Sequence, residues 1–187
     1  MTDGIKGISV CNSNQDVFVH VSGRGTFQNG QPLRRYSLEM LNQGVNQFHV
    51  DLADCQGMDS TFLGVLAGIG LRLSQDGGRG RLFVINVSSR NMELLQTLGL
   101  DRLFNVEGAT RDREKHAPPG HLEFQRLPDS DIGALSKPLN KNDTADLMLE
   151  AHDNLVRADQ RNVAKFKDLT RILREDVERR GTEKEKP

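Results

Sequence analysis

The sequence predicts a small α/β domain over residues 1–107, then a linker over 108–141, a long amphipathic helix over 142–181 and a disordered tail over 182–187. Three observations carry this. Strand-like runs alternate with single amphipathic stretches between residues 48 and 98, which implies parallel pairing with right-handed crossovers. Charge, Pro and Gly rise sharply after Phe104. Residues Asp143 to Arg180 then run without a Pro or a Gly.

The elements follow in order. Ile5–Val10 and Val17–Val21 read as short strands, with "NSNQD" between them as turn chemistry, because Asn, Ser and Asp side chains bond to nearby backbone. The alternation in "VFVHV" points His20 away from the face of Val17, Val19 and Val21. After a break at "SGRGTFQNG", the spacing of Leu33, Tyr36, Met40 and Leu41 predicts a helix over Pro32–Leu41. Pro32 suits its first turn and Gly44 ends it. Phe48–Ala53 is a strand. Ser60–Ser74 is a helix with an apolar stripe of Phe62, Val65, Leu66, Ile69 and Leu73. "DGGRG" closes it. Leu82–Val87 is a near-continuous apolar strand of the kind covered on both faces. Ser88 or Ser89 caps a helix through Leu98, and Gly99 stops it.

Beyond the linker, which carries a short strand signal at His121–Leu127, Asn142, Asp143 and Thr144 supply N-cap chemistry, and Gly181 is a C-cap. Leu155, Phe166 and Val177 recur every eleven residues, a period that keeps one stripe on one side of a nearly straight helix. A helix of roughly 38 residues is about 57 Å long, more than the domain is wide. It must brace the domain, project, or pair with another copy as a homodimer through 143–180. Asn162 lies near the stripe, where one polar residue can fix a pairing register.

Composition narrows the function. Lys and Arg number 25 against 26 Asp and Glu, a balance that does not suggest a nucleic-acid binder. No stretch approaches the roughly 20 apolar residues of a membrane span, and the N-terminus lacks an apolar signal-peptide run, so a soluble, cytoplasmic protein is expected. Cys11 and Cys55 read as reduced, partly buried thiols. The histidines, His20, His49, His116, His121 and His152, share no metal-ligand spacing, and none is placed in the sequence to serve Ser60 as a base. No P-loop or nucleophile elbow is present; catalysis, metals and cofactors are not expected. "GRGTFQNG" imitates a dinucleotide fingerprint, but Gln28 stands where the third glycine belongs.

The informative stretch is "MDSTFLGVLAGI", Met58–Ile69. An acid and a hydroxyl pair, Asp59, Ser60 and Thr61, stand where the helix begins, and Gly64, Gly68 and Gly70 interrupt it at about 1 kcal/mol each relative to Ala. Ser60, Gly64 and Gly68 fall at i, i+4 and i+8 and form a flat seam. A partner backbone could approach along that seam, or the glycines could pack against the protein's own sheet. Either Ser60 or Asp59 can be the helix cap, and if Asp59 is, the serine hydroxyl is free.

"VDLADCQGMDSTFLGVLAGIGLRL" resembles the signature of the STAS domain, the fold of bacterial anti-sigma-factor antagonists, at Asp51, Leu52, Met58, Asp59, Ser60, Leu63, Gly64 and Leu66. "LFVINVSSRNMELLQTLGLDRLFNV" is similar to the family's next strand and helix. The resemblance covers about residues 5–107. It implies a STAS-like fold with a mixed, mostly parallel sheet. It also implies phosphorylation of Ser60, with Thr61 as second choice, by a partner serine kinase that is often itself the anti-sigma factor, and resetting by a phosphatase. Asp59, Gly64, Gly68, Thr26 and Asn29 are the expected partner-binding residues. The Gly23–Gly30 loop departs from the family: Arg24, Thr26 and Asn29 occupy a place where an acidic residue is common. The alternative is a non-switching scaffold that self-associates through the C-terminal helix.

Overall fold

The computed structural model describes residues 6–75, 80–108, 118–120, 122–128 and 141–184. The strands are β1 (Gly7–Asn12), β2 (Asp16–Gly25), β3 (Gln47–Asp51), β4 (Cys55–Met58), β5 (Arg81–Val87), β6 (Asn105–Gly108) and β7 (Gln125–Arg126). The helices are α1 (Phe27–Asn42), α2 (Ser60–Gln75), α3 (Ser89–Thr97), α4 (Lys141–Ala158) and α5 (Asn162–Lys184). The strands form one mixed sheet in the order β6-β5-β3-β2-β1-β7, with β4 pairing to β2. The pairs β2–β3, β3–β5, β5–β6 and β2–β4 are parallel, and β1 is antiparallel to β2 and β7. The expected α/β class and mostly parallel sheet are observed.

The alternation in β2 and β3 sorts side chains by face. Val17, Val19, Val21, Phe48 and Val50 are fully buried and join Leu33 and Met40 of α1 and Phe62, Leu66, Ile69 and Leu73 of α2 in one core. The opposite face carries Phe18, His49 and Phe83, stacked across β2, β3 and β5 at ring separations of 4.8 and 5.0 Å. Beside them His20 faces Asp51 and Asp54, as the alternation predicts.

Several boundaries differ from the sequence reading. β2 runs on through Gly25, and α1 starts at Phe27, so Pro32 lies inside the helix and not in its first turn. The early start has a cause: the Thr26 amide donates to Asn29 Oδ1 at 2.8 Å, and the Asn29 amide returns a bond to the Arg24 carbonyl at 2.9 Å. β4 and β6 are additional strands. β7 falls within the signal at 121–127; most of the 108–141 linker lies outside the described residues.

The largest difference is at the C-terminus. Where the sequence reading has one straight helix, the chain turns at residues 159–161 and makes two. Asp159 causes the turn without Pro or Gly: its carboxylate accepts from the Arg161 amide at 2.9 Å and from the Arg161 guanidinium, giving the backbone an alternative to the helical ladder. The Arg161 side chain and amide hold that carboxylate far below the usual carboxylate range. α5 also continues past Gly181 to Lys184, so 182–184 are helical; residues 185–187 lie outside the described residues.

The turn is bolted to the end of α3. Asn162 is fully buried and its amide donates to the Leu98 carbonyl at 2.9 Å and the Leu155 carbonyl at 2.8 Å. The Lys165 ammonium donates to the Thr97 carbonyl. The bonds to Thr97 and Leu98 satisfy carbonyls that a helix C-terminus leaves without intrahelical partners, while the Leu155 carbonyl also accepts from the Asp159 amide at 3.2 Å. Asn162 thus serves an internal joint and does not sit in a pairing seam. With the chain reversed there, α4 lies on α2 as a third layer, burying Leu147, Ala151 and Leu155. At about 1.5–3 kcal/mol per buried leucine, Leu147 and Leu155 contribute about 3–6 kcal/mol to that docking.

Candidate partner-binding site at the start of α2

The site begins where β4 hands over to α2. Gly25 and Met58 are partners in the β2–β4 ladder, and the Asp59 amide continues it by donating to the Gly25 carbonyl at 2.9 Å. This places the Asp59 carboxylate between two helix starts. Oδ1 accepts from the Phe62 amide at 2.8 Å and caps α2; Oδ2 accepts from the Phe27 amide at 2.9 Å, in the first turn of α1. Asp59 is therefore the cap, and the Ser60 hydroxyl is released from that duty. The Gly23–Gly30 loop lies against the start of α2, as expected for neighbouring parallel-sheet loops. Thr26 and Asn29 are spent on bonds within the loop, and Asn29 is buried.

Ser60 has another partner. Its hydroxyl lies 2.9 Å from His152 Nε2 on α4. His152 Nδ1 lies 2.7 Å from the Met148 carbonyl, an acceptor, so Nδ1 carries a proton, and in that tautomer Nε2 accepts from the Ser60 hydroxyl. The imidazole is 3% exposed and meets the edge of Phe166 at 4.9 Å. The sequence reading placed no histidine beside Ser60; the fold does, across 92 residues of chain. The pair has the orientation of a nucleophile and its base, but the third member is a backbone carbonyl and the pair is enclosed in a helix–helix contact. Thr61 is buried at 5% exposure, which leaves half-buried Ser60 as the hydroxyl beside α4.

The glycine seam continues along α2 beneath α4. A Cβ on Gly64 would overlap the Ala151 carbonyl and come within 2.7 Å of its Cα. A Cβ on Gly68 would come within 2.6 Å of Asn154 Nδ2. The Asn154 amide donates to the Gly64 carbonyl at 3.3 Å. The two helix backbones thus touch at a place where alanine would not fit. Gly70, off the seam, is crowded by Phe104 and Leu103. Farther along, α1, α2 and α4 enclose a cavity of about 190 Å³ that includes Ser37, Leu38, Ile69, Arg72, Leu147 and Arg157 in its lining. The Ser37 hydroxyl is buried without a hydrogen-bond partner. At its rim Arg34 holds Glu150 of α4 at 2.5 and 3.0 Å.

The opposite sheet face carries a polar cluster. Asp51 accepts from Asn86 at 2.8 Å and from the Ala53 amide at 2.9 Å; His20 Nε2 lies 3.1 Å from Asp54. The Asp51 hydrogen bond, and after it the charges of Asp51 and Asp54, raise the His20 pKa against the opposing effect of burial. Burial pushes Asp51 up, but the bonds from His20, Asn86 and Ala53 outweigh it and leave its pKa below the usual value.

The comparisons agree with this architecture. The family model described as "Mlab, STAS domain" matches residues 8–106, more than half of the chain, and the chain belongs to the STAS domain family. Among solved structures, it is similar to a putative anti-sigma factor antagonist from Thermotoga maritima, at 19% identity and a TM-score of 0.50, over 58% of this chain and 92% of that one. That likeness shows the shared fold. The anti-sigma factor antagonist SpoIIAA in its unphosphorylated form matches at 16% identity and a TM-score of 0.49, over 58% of this chain and 94% of that one. The phosphorylated form of the Bacillus protein matches at 18% and 0.48, over 57% and 94%. No curated protein matches. Among the described residues no helix is long and apolar enough to cross a membrane.

Proposed function

We propose that this chain is a STAS regulatory module of the anti-sigma-factor-antagonist kind. It binds a partner protein, an anti-sigma factor or related serine kinase, through the start of α2, and phosphorylation of Ser60 switches the complex. The observation that supports this best is the division of labour at the helix start. Asp59 does the capping, so the Ser60 hydroxyl, at the positive end of the α2 dipole, is not committed to the backbone of its own helix and is bonded instead to His152 of α4. The kinase transfers the terminal phosphoryl group of a nucleoside triphosphate to Ser60 Oγ; the nucleoside diphosphate leaves, and the hydroxyl proton goes to the kinase's base. The product adds about −1.5 to −2 charges beside Asp59. A partner surface docked there then meets like charge and a desolvation cost, and is released. A phosphatase resets the module.

A second reading has one observation in its favour: the seam is already filled by α4, as a scaffold that never switches would have it. Phosphopeptide mass spectrometry of the protein from its native cell, grown and then stressed, separates the two. Ser60 phosphate whose occupancy changes with stress, together with partner capture by Ser60→Ala and not by Ser60→Asp, fits the switch. An unmodified Ser60 and equal capture by both variants would leave the scaffold.

A further inference from the structure

We propose that α4 is a resident competitor for the partner surface. While it lies on α2, Ser60 can be neither modified nor engaged, and the external partner takes its place with a helix of the same design. The inference rests on the reading of Ser60 and α2 as the partner surface, and names what governs access to it.

The seam specifies its occupant closely. Gly64 touches the Ala151 backbone, so an occupant must bring a small residue and its own carbonyl to that point. A longer side chain at the Ala151 position would hold the backbones apart and break the bond from Asn154 to the Gly64 carbonyl. One residue along from Ala151, an acceptor must reach the Ser60 hydroxyl, as His152 Nε2 does. The partner that fits is therefore a helix with alanine or glycine at the crossing, an acceptor side chain next to it, and a side-chain amide three positions on, as Ala151, His152 and Asn154 provide.

Occupancy by α4 and modification of Ser60 exclude one another. Oγ and Nε2 are 2.9 Å apart, a hydrogen-bond distance that leaves no room for a phosphoryl group between them. Ser60 is half-buried and its Oγ is bonded to an imidazole that is 3% exposed, so a modifying active site can surround Oγ only by displacing α4. Any group that adds to Ser60 selects the state in which α4 has left.

The docking is also built to be released. Its polar bonds to α2, Ser60 to His152 and Asn154 to the Gly64 carbonyl, are ones that a partner or water can replace, and the Arg34–Glu150 pair that links α4 to α1 is exposed to solvent. The fit is incomplete: the 190 Å³ cavity and the unpaired Ser37 hydroxyl lie along the edge of the contact. The joint at Asn162 and Lys165 is made to α3, not to α2, so α4 can lift while its far end stays tethered. A tethered helix rebinds intramolecularly and competes at a high effective concentration.

The test needs neither partner nor kinase. Ser60→Cys in the full chain gives a thiol whose alkylation by iodoacetamide, with loss of iodide, reports access to that atom. Buried Cys11 and Cys55 serve as internal controls for the fold. The expected result is slow alkylation of residue 60 in this background and at least about tenfold faster alkylation when Gly64→Ala is added, since the new methyl evicts α4. Ala151→Leu, which changes only α4, should accelerate it equally and covers the case in which Gly64→Ala exposes Cys11 or Cys55. Residue 60 alkylated at one rate in all three proteins, with both controls protected, overturns the proposal. Ser60 found unmodified in cells would remove the switch reading but not change these rates.

Discussion

Replacing Asp59 by alanine tests whether one carboxylate fastens two helix starts. The change removes the cap on the Phe62 amide, worth about 0.5–2 kcal/mol. It also removes the bond to the Phe27 amide, which as a hydrogen bond to a charged group is worth about 1.5–3 kcal/mol. Allowing for some rescue by water at this part-buried site, Asp59→Ala should cost about 2–4 kcal/mol. At about 2–4 °C per kcal/mol for a chain of this size, Tm should fall by roughly 6–12 °C for a 3 kcal/mol loss. Asp59→Ser is the informative companion, because its hydroxyl can still cap α2 but cannot reach α1; it should cost about half as much. Urea unfolding followed by circular dichroism measures both. A loss under about 0.5 kcal/mol for Asp59→Ala, or equal losses for alanine and serine, would refute the account of Asp59 as a two-helix clamp.

Other predictions concern the remainder of the molecule. Because the His20 pKa is raised in the folded state, its contribution is fully present below the ordinary histidine value and is lost as pH rises through the raised value. Stability should therefore fall across that window, and His20→Gln should flatten the slope in urea titrations at several pH values; an unchanged slope would exclude His20 as its source. The lowered pKa of Asp51 works the other way, with stability lost as pH falls through it. Asn162→Ala leaves the Leu98 carbonyl without its Asn162 donor and takes one of two donors from the Leu155 carbonyl, which keeps the Asp159 amide, and should cost about 1–3 kcal/mol, read as a lower urea midpoint. A loss within about 0.5 kcal/mol would mean that the joint to α3 does not hold the C-terminal helices.

The periodicities that were legible are those that one element carries alone. β2, β3 and β5 announce themselves by alternation or by an apolar run, and α2 and α3 by stripe and cap. β4 was not legible because "CQGM" has neither pattern; its pairing comes from Gly25 and Met58 meeting in space. The start of α1 is hidden by Pro32, which suits a first turn so well that it masks the capping pair Thr26 and Asn29, six and three residues earlier. The turn at Asp159 escaped because the eleven-residue recurrence of Leu155, Phe166 and Val177 continues across it. An aspartate followed by arginine and asparagine was the available signal, since all three side chains bond the turn or the end of α3.

The seam itself was read from the sequence, but its occupant was not. Spacing reports that Ser60, Gly64 and Gly68 share a face; it cannot report which helix arrives there. The matching signal lies in "EAHDNL", where Ala151, His152 and Asn154 meet α2. Gly64, which permits the backbone contact with α4, and Gly68, which makes room for the Asn154 side chain, weaken α2 as an isolated helix by about 1 kcal/mol each, a cost that docking offsets. Ser60 is then both the candidate phosphoacceptor and a member of the contact that covers it.

Hydrogen exchange along α4 in full-length Ser60→Asp and Ser60→Ala tests the central claim most directly. The account predicts that Ser60→Ala keeps the amides of residues 145–158 protected, while Ser60→Asp, with a larger charged group against His152, loses that protection and leaves the β2, β3 and β5 amides unchanged. Equal protection of α4 in the two variants, as an aspartate–His152 ion pair would give, would contradict it.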